Sequence, residues 1–99
     1  MSIEIDYDTE LDLSSEGLRK LPDLSGYINL QKIDCRNNKL TSLDNLPSTL
    51  TELSCYKNQL TFLDNLPSPL TILKCFVNPL QYNFEPTLKN IRAYNANKN

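Results

Sequence analysis

A 20-residue repeat constrains this chain more than any other feature of its sequence. Shifting the sequence by 20 positions aligns Asn38–Lys57 with Asn58–Val77, and 13 of the 20 aligned pairs are identical. Each copy of such a repeat packs mainly against its neighbours. The period therefore predicts a stack of similar units with apolar columns shared between them, and not a globule around one central core.

The columns of the repeat read L-x-x-L-x-C-x-x-N-x-L. The L-x-C core predicts a short strand whose alternate side chains point inward. The asparagine comes after the strand, where its amide can satisfy backbone groups of the turn. Degenerate copies flank the regular ones, with Glu16 and Ala96 at the asparagine position. The regular copies contain Leu30, Ile33, Cys35, Asn38 and Leu40, then Leu50, Leu53, Cys55, Asn58 and Leu60, then Leu70, Leu73, Cys75, Asn78 and Leu80.

These columns resemble the leucine-rich-repeat family over about residues 8–96. The Leu-Pro pairs at 46–47 and 66–67 resemble repeats of bacterial effectors, and the cysteine variant resembles short repeat proteins encoded by amoeba-infecting giant viruses. The resemblance implies a right-handed solenoid of about five repeats with one parallel β-sheet on its concave face. It also implies a buried asparagine ladder. Proline disfavours helix at the preceding residue, so we expect extended or short 3-10 segments on the convex side.

One domain over residues 1–99 is expected, since the repeat covers nearly the whole chain. Ile3, Ile5 and Tyr7 alternate with polar residues, which makes the first ten residues a candidate N-terminal cap strand. With one strand in each full or degenerate copy, the sheet would have five strands. The predicted divisions are 1–10 for the cap, 11–29 for a degenerate repeat, 30–87 for three regular repeats and 88–99 for a terminal partial repeat and tail.

The composition excludes several kinds of catalytic site, metal site and membrane attachment. The chain contains no histidine, which removes histidine-dependent triads, histidine metal ligands and the usual general base near neutral pH. No apolar run approaches the ~20 residues that span a bilayer. The N-terminal sequence MSIEIDYDTE does not have the pattern of a secretory signal. We therefore expect a non-catalytic intracellular protein with no cofactor, no metal site and no membrane partner.

The three cysteines recur every 20 residues, which raises the question of a metal site or a disulfide. Neighbouring parallel strands lie ~4.8 Å apart, so Cys35 and Cys75 would be separated by nearly twice that distance. Two thiolates on one zinc ion are at most about 4.6 Å apart, because each Zn–S bond is ~2.3 Å. A disulfide between neighbours would require core side chains to turn towards each other. We interpret the cysteines as small buried fillers in a reducing compartment.

The variable positions of the strands are predicted to face outward on the concave sheet. The residue before each cysteine column changes from acidic to basic along the chain, as Asp12, Asp34, Ser54, Lys74 and Arg92. The residue after it forms an aromatic file of Tyr56, Phe76 and Tyr94, which is typical of a contact surface. Stacking of these rings on one another is the alternative. The predicted partner-binding residues are Arg36, Tyr56, Ile72, Lys74, Phe76, Val77, Arg92 and Tyr94.

Two functions are compatible with this pattern. The first is a protein–protein interaction module that binds an unidentified protein through the concave face. The second is a structural protein that self-assembles head to tail, because residues 1–29 carry a net charge of −5 and residues 71–99 carry +3. Nucleic-acid binding is disfavoured by the sequence pI of about 5.0 and by the lack of a known motif.

Overall fold

A computed structural model describes residues 9–98, and within them it has four short strands and one helix. The strands form one parallel sheet in chain order, so the parallel sheet predicted from the repeat is confirmed. Most of the candidate cap strand at 1–10 lies outside the described residues. The elements are β1 (Glu10–Asp12), β2 (Lys32–Asp34), β3 (Glu52–Ser54), β4 (Ile72–Lys74) and α1 (Leu88–Ala96).

The strand register follows the repeat. Leu53 pairs with Ile33 on one side and with Leu73 on the other, and Leu11 continues the row on β1. Because strand side chains alternate, this row points into the core and the residues on either side of it point outward. The core consists mainly of the repeat columns: Leu30, Ile33, Cys35, Leu40, Leu50, Leu53, Cys55, Leu60 and Leu70 are fully buried.

The repeated asparagines link each copy to the one before it. The side-chain amide of Asn58 donates to the carbonyl oxygens of Cys35 at 3.0 Å and Cys55 at 3.1 Å. Its side-chain oxygen accepts from the backbone N–H of Leu40 at 3.0 Å. Asn78 repeats the pattern one copy later, with Leu60 as its donor. The predicted asparagine ladder is thus confirmed as a structural feature, because it satisfies backbone groups that the sheet does not pair.

Each strand is followed by a residue in the left-handed region of backbone space. The φ values are 57° at Ser15, 59° at Asn37, 59° at Lys57 and 56° at Val77. Asparagine tolerates this conformation, whereas a β-branched side chain there is strained. Val77 is therefore the residue of this column that fits its backbone least well.

Residues 88–96 form a helix where the repeat predicted a fifth strand, and that prediction is wrong. Leucine and isoleucine at 88 and 91 fit the L-x-x-L spacing of a repeat copy, but the same spacing places both on one face of a helix. Thr87 caps the helix, because its side-chain oxygen accepts from the N–H of Asn90 at 3.1 Å. Ile91 is fully buried. Among residues 9–98, no helix has the length and apolar content needed to span a bilayer.

Candidate interaction surface

The strands present a continuous face on the side opposite the core, which we name the outer sheet face. It consists of the side chains that flank the inward row on each strand, together with the residue two positions after each strand. The members on β1 to β4 are Glu10, Asp12, Lys32, Asp34, Glu52, Ser54, Ile72 and Lys74, and those after the strands are Ser14, Arg36, Tyr56 and Phe76.

Charges on the outer sheet face are paired in the middle of the sheet. Lys32 lies 3.5 Å from the Glu52 carboxylate across β2 and β3. The Arg36 guanidinium lies 3.2 Å from the Asp34 carboxylate. Such exposed pairs contribute little to stability, but they neutralise the centre of the face. Lys74 at the β4 end forms no ion pair with any residue between 9 and 98.

The acidic end of the face lies on β1. The Ser14 hydroxyl donates to the Asp12 carboxylate at 2.7 Å, and the Ser14 backbone N–H donates to it at 2.9 Å. These hydrogen bonds lower the pKa of Asp12. The predicted change from acidic to basic is therefore present from β1 to β4. Ser54, the neutral member of this column, was predicted to face outward, but its small side chain is buried to 5% exposure.

A file of three side chains crosses β2, β3 and β4. The Arg36 Nη1 atom lies 3.2 Å from the Tyr56 hydroxyl oxygen, to which it donates. The Tyr56 ring stacks on the Phe76 ring with 4.4 Å between centroids and 13° between planes. The stacking alternative is thus present between these two rings. It does not cover Phe76, which is 56% exposed.

Phe76, at the end of this file, is one of three exposed apolar side chains in the β4 copy. Ile72 and Val77 are 46% and 62% exposed; Val77 follows Phe76 in the chain, and Ile72 lies on the same face with Lys74 between it and Phe76. Exposed apolar side chains on an otherwise polar face are typical of a contact site. The structure therefore places five of the predicted partner-binding residues on the outer sheet face and leaves Val77 exposed next to Phe76 in the chain; the five are Arg36, Tyr56, Ile72, Lys74 and Phe76.

Arg92 and Tyr94, the other two predicted residues, lie on α1 and not on the sheet. The reason is the helix itself, which replaces the strand that would have carried them. The Arg92 guanidinium donates to the carbonyl oxygens of Pro67 at 2.7 Å and Ser68 at 3.2 Å. Their placement on the sheet is corrected, and Arg92 attaches α1 to the segment that follows β3.

Tyr94 belongs to a separate aromatic cluster that sequence reasoning missed. Its ring centroid lies 5.3 Å from that of Tyr82, 5.8 Å from that of Phe84 and 6.4 Å from that of Phe62. The backbone N–H of Leu63 also donates to the Tyr82 hydroxyl oxygen at 2.7 Å. Phe62 and Tyr82 are 20 residues apart in the sequence. The repeat therefore contained a signal for this pair, in a column outside the strand.

The cysteine thiols are buried and free. Burial raises the pKa of Cys35 to about 12, and it also raises the pKa of Cys55 and Cys75. A thiol that stays protonated is a poor nucleophile and a poor metal ligand. The interpretation of the cysteines as core fillers agrees with this environment.

Two grooves lie away from the outer sheet face. One of about 900 Å³ is lined by residues between Lys20 and Thr49, including Ile28 and Pro47. The other, of about 460 Å³, lies between α1 and the preceding segment, beside Phe84 and Tyr94. The outer sheet face itself is an open surface, and an open surface suits a macromolecular partner better than a small molecule.

No protein-family model matches the chain, and no curated protein matches it.

Proposed function

We propose that this chain is a non-catalytic protein–protein interaction module that binds a partner protein through the β4 end of the outer sheet face. The proposed contact residues are Ile72, Lys74 and Phe76 at this end, Val77, which follows Phe76 in the chain, and Tyr56 and Arg36, which continue the file of Phe76 across the sheet. The observation that carries the proposal is the stacked pair of Tyr56 and Phe76, whose outer ring stays more than half exposed in a copy that has two further exposed apolar side chains. Aromatic anchors of this kind dominate the energetics of many protein interfaces.

The rest of the outer sheet face also favours its β4 end as the contact site. Ion pairs neutralise its centre, and the side chains of its acidic end on β1 are polar. Desolvating paired charges brings little affinity, whereas burying exposed apolar area is favourable. The partner is therefore expected to cover the apolar end and to leave the acidic end in solvent.

The scaffold in this proposal is a leucine-rich-repeat solenoid closed by α1 at its C-terminal end. The parallel strands in chain order and the asparagine ladder support it. The free, buried thiols support a reducing, intracellular location, because they need no oxidation to fill the core.

Head-to-tail self-assembly is the weaker candidate. It would require the last repeat of one copy to stack on the first repeat of the next, with apolar columns in contact. Instead, Ile91 of α1 is fully buried, and the Cys75 thiol is 3.6 Å from the carbonyl oxygen of Pro86, just before the helix. α1 and the segment before it thus occupy the end of the core that stacking would use.

The proposal is tested by the double variant Tyr56→Ala/Phe76→Ala. Both side chains lie outside the core, so the variant is expected to fold and to lose the proteins that copurify with the unaltered chain. The measurement is affinity purification with quantitative mass spectrometry, accompanied by circular dichroism to verify folding.

Ile28→Ala is the matched control, because it removes an exposed apolar side chain, 64% exposed, that lies outside the strands. It is expected to retain the same partners. A double variant that folds and retains every partner contradicts the proposal.

A further inference from the structure

Backbone donors along the outer edge of β4 have no partner within residues 9–98. In the earlier copies, Cys35 and Cys55 donate their N–H groups to the carbonyl oxygens of the next strand, at 2.8 Å in both cases. Asn37 and Lys57 do the same two residues later, at 3.0 and 3.1 Å. The corresponding N–H groups at positions 75 and 77 have no acceptor within residues 9–98. The hydrogen-bonding pattern of the sheet is therefore left open at this edge.

The acceptors along this edge are open as well. The carbonyl oxygens of Gln31 and Thr51 each accept N–H groups from the following strand. The carbonyl oxygen of Thr71, which is their counterpart, accepts none in the described part of the chain. The α1 side chains of Arg92 and Asn95 donate to carbonyl oxygens of residues 63–68, which follow β3, and not to the edge of β4. Open edges of this kind are sites where an extended segment can add as a further strand.

Three side chains of β4 and its following turn specify what such a strand would carry. Across the sheet, residues in one column contact each other, as Tyr56 and Phe76 do. A strand beyond β4 would place alternate side chains beside Ile72, Lys74 and Phe76. Two of these three are exposed apolar groups, and Lys74 is an exposed cation without an ion pair among residues 9–98.

We propose that β4 accepts an extended segment of the partner protein as an additional strand. The segment has an acidic residue beside Lys74, an apolar residue beside Ile72 and an aromatic residue beside Phe76, each separated by one residue. This inference rests on the proposed function and names the chemistry of its partner. A second copy of this chain fits less well: in the register of the sheet its β1 would place Asp12 beside Lys74 but Glu10 beside Ile72, and the serine after β1 beside Phe76.

A charge exchange tests the side-chain part of the inference. The probe is a fluorescein-labelled peptide, Ser-Val-Thr-Glu-Thr-Tyr-Ser, and its partner peptide has lysine in place of glutamate. Fluorescence anisotropy is expected to show that the unaltered protein binds the glutamate peptide about three- to tenfold more tightly than the lysine peptide. Lys74→Glu reverses that preference. Lys39→Glu makes the same charge change outside the strands and leaves the preference unchanged.

Backbone methylation tests strand addition itself. A strand directs the N–H groups of alternate residues to opposite sides, so only one alternate set faces β4. One peptide carries N-methyl groups on valine, glutamate and tyrosine, and the other carries them on the two threonines. Strand addition predicts that only one of the two loses binding. Equal affinities of the two methylated peptides overturn it, as does absence of binding by the unmethylated peptide at millimolar concentration.

The two proposals fail in different ways. If the methylated peptides bind equally while Tyr56→Ala/Phe76→Ala still loses its partners, strand addition is wrong and the interaction surface stands. If the double variant retains every partner, the surface is wrong. Sedimentation of the protein alone tests for a concentration-dependent dimer, and chemical acetylation of lysines tests whether Lys74 is less reactive in that dimer. Both results together would overturn the partner segment in favour of a second copy of the chain.

Discussion

β3 and β4 carry the same repeat columns but have different surroundings. Leu53 on β3 is fully buried and pairs with strands on both sides, whereas Leu73 on β4 is partly exposed and pairs on one side within residues 9–98. The aromatic column shows the same difference: Tyr56 after β3 is half-buried, whereas Phe76 after β4 is 56% exposed. The central leucine of the strand is thus fully buried at β3, which has a strand on each side, and only partly buried at β4.

The comparison assigns different roles to the two strands. At β3 the repeat contributes stability, because neighbouring copies cover its apolar side chains and satisfy its backbone. At β4 the corresponding side chains of Leu73 and Phe76 are more exposed, and the proposed contact surface uses Phe76. Substitutions at matched positions of the two copies measure how far these roles are separate.

The largest difference is expected in the inward leucine row. Leu53→Ala should lower the free energy of unfolding by about 2–5 kcal/mol, because it leaves a cavity in a fully buried site. Leu73→Ala should cost about 1–2 kcal/mol, because solvent and neighbouring side chains can fill a site at the edge. Urea denaturation followed by circular dichroism measures both. Equal losses would show that α1 encloses the β4 end as completely as a further copy would.

The asparagine ladder is expected to show a smaller version of the same contrast. Asn58→Ala should cost about 2–3 kcal/mol, because it leaves the buried Leu40 N–H without its acceptor and removes one of the two amide donors to each of two cysteine carbonyl oxygens. Asn78→Ala should cost about 1 kcal/mol, since its partly exposed site lets water replace the lost bonds. The same urea titrations apply. A larger loss at Asn78 would contradict the edge character of this copy.

The repeat predicted the parts of the fold that recur and missed the part that does not. Strand positions, the inward columns and the asparagine ladder follow from residues that reappear at fixed spacing, so each copy supports the interpretation of the others. α1 has no second copy. Leu88 and Ile91 satisfy a strand frame and a helix frame equally, and the Thr87 cap settles the conformation.

For the candidate surface, too, the sequence predicted the residues on the strands and missed those beyond the last regular copy. Alternation along the strands placed Ile72, Lys74 and Phe76 on the outer face without reference to tertiary contacts. Arg92 was placed there by extending the column past the last regular copy, where the column no longer exists. The edge of β4, which is unpaired within residues 9–98, was not predicted, because a sequence of repeats does not show at which copy pairing stops.

Removing the N-cap of α1 is expected to lower the free energy of unfolding by less than the buried leucine or asparagine substitutions do. Thr87→Ala should lower the free energy of unfolding by about 1 kcal/mol, because the N–H of Asn90 loses its acceptor. Thr41→Ala, at an exposed threonine outside the strands and the helix, is the matched control and should change it by less than about 0.5 kcal/mol. Thermal unfolding by circular dichroism distinguishes the two. A null effect at Thr87 would show that this cap hydrogen bond does not contribute to stability in solution.

Val77 offers the smallest effect and the most direct comparison with the preceding copy. Its φ of 56° is strained for a β-branched residue, and the same column has Asn37 and Lys57 at 59°. Val77→Asn should therefore stabilise the protein by about 0.5–1 kcal/mol, and Lys57→Asn by less, because lysine is not β-branched. Urea denaturation gives both values.

If Val77→Asn stabilises the fold and also weakens binding of the unmethylated glutamate peptide, the strained valine favours contact at the expense of stability. Unchanged or lower stability would show that the valine is not strained in solution.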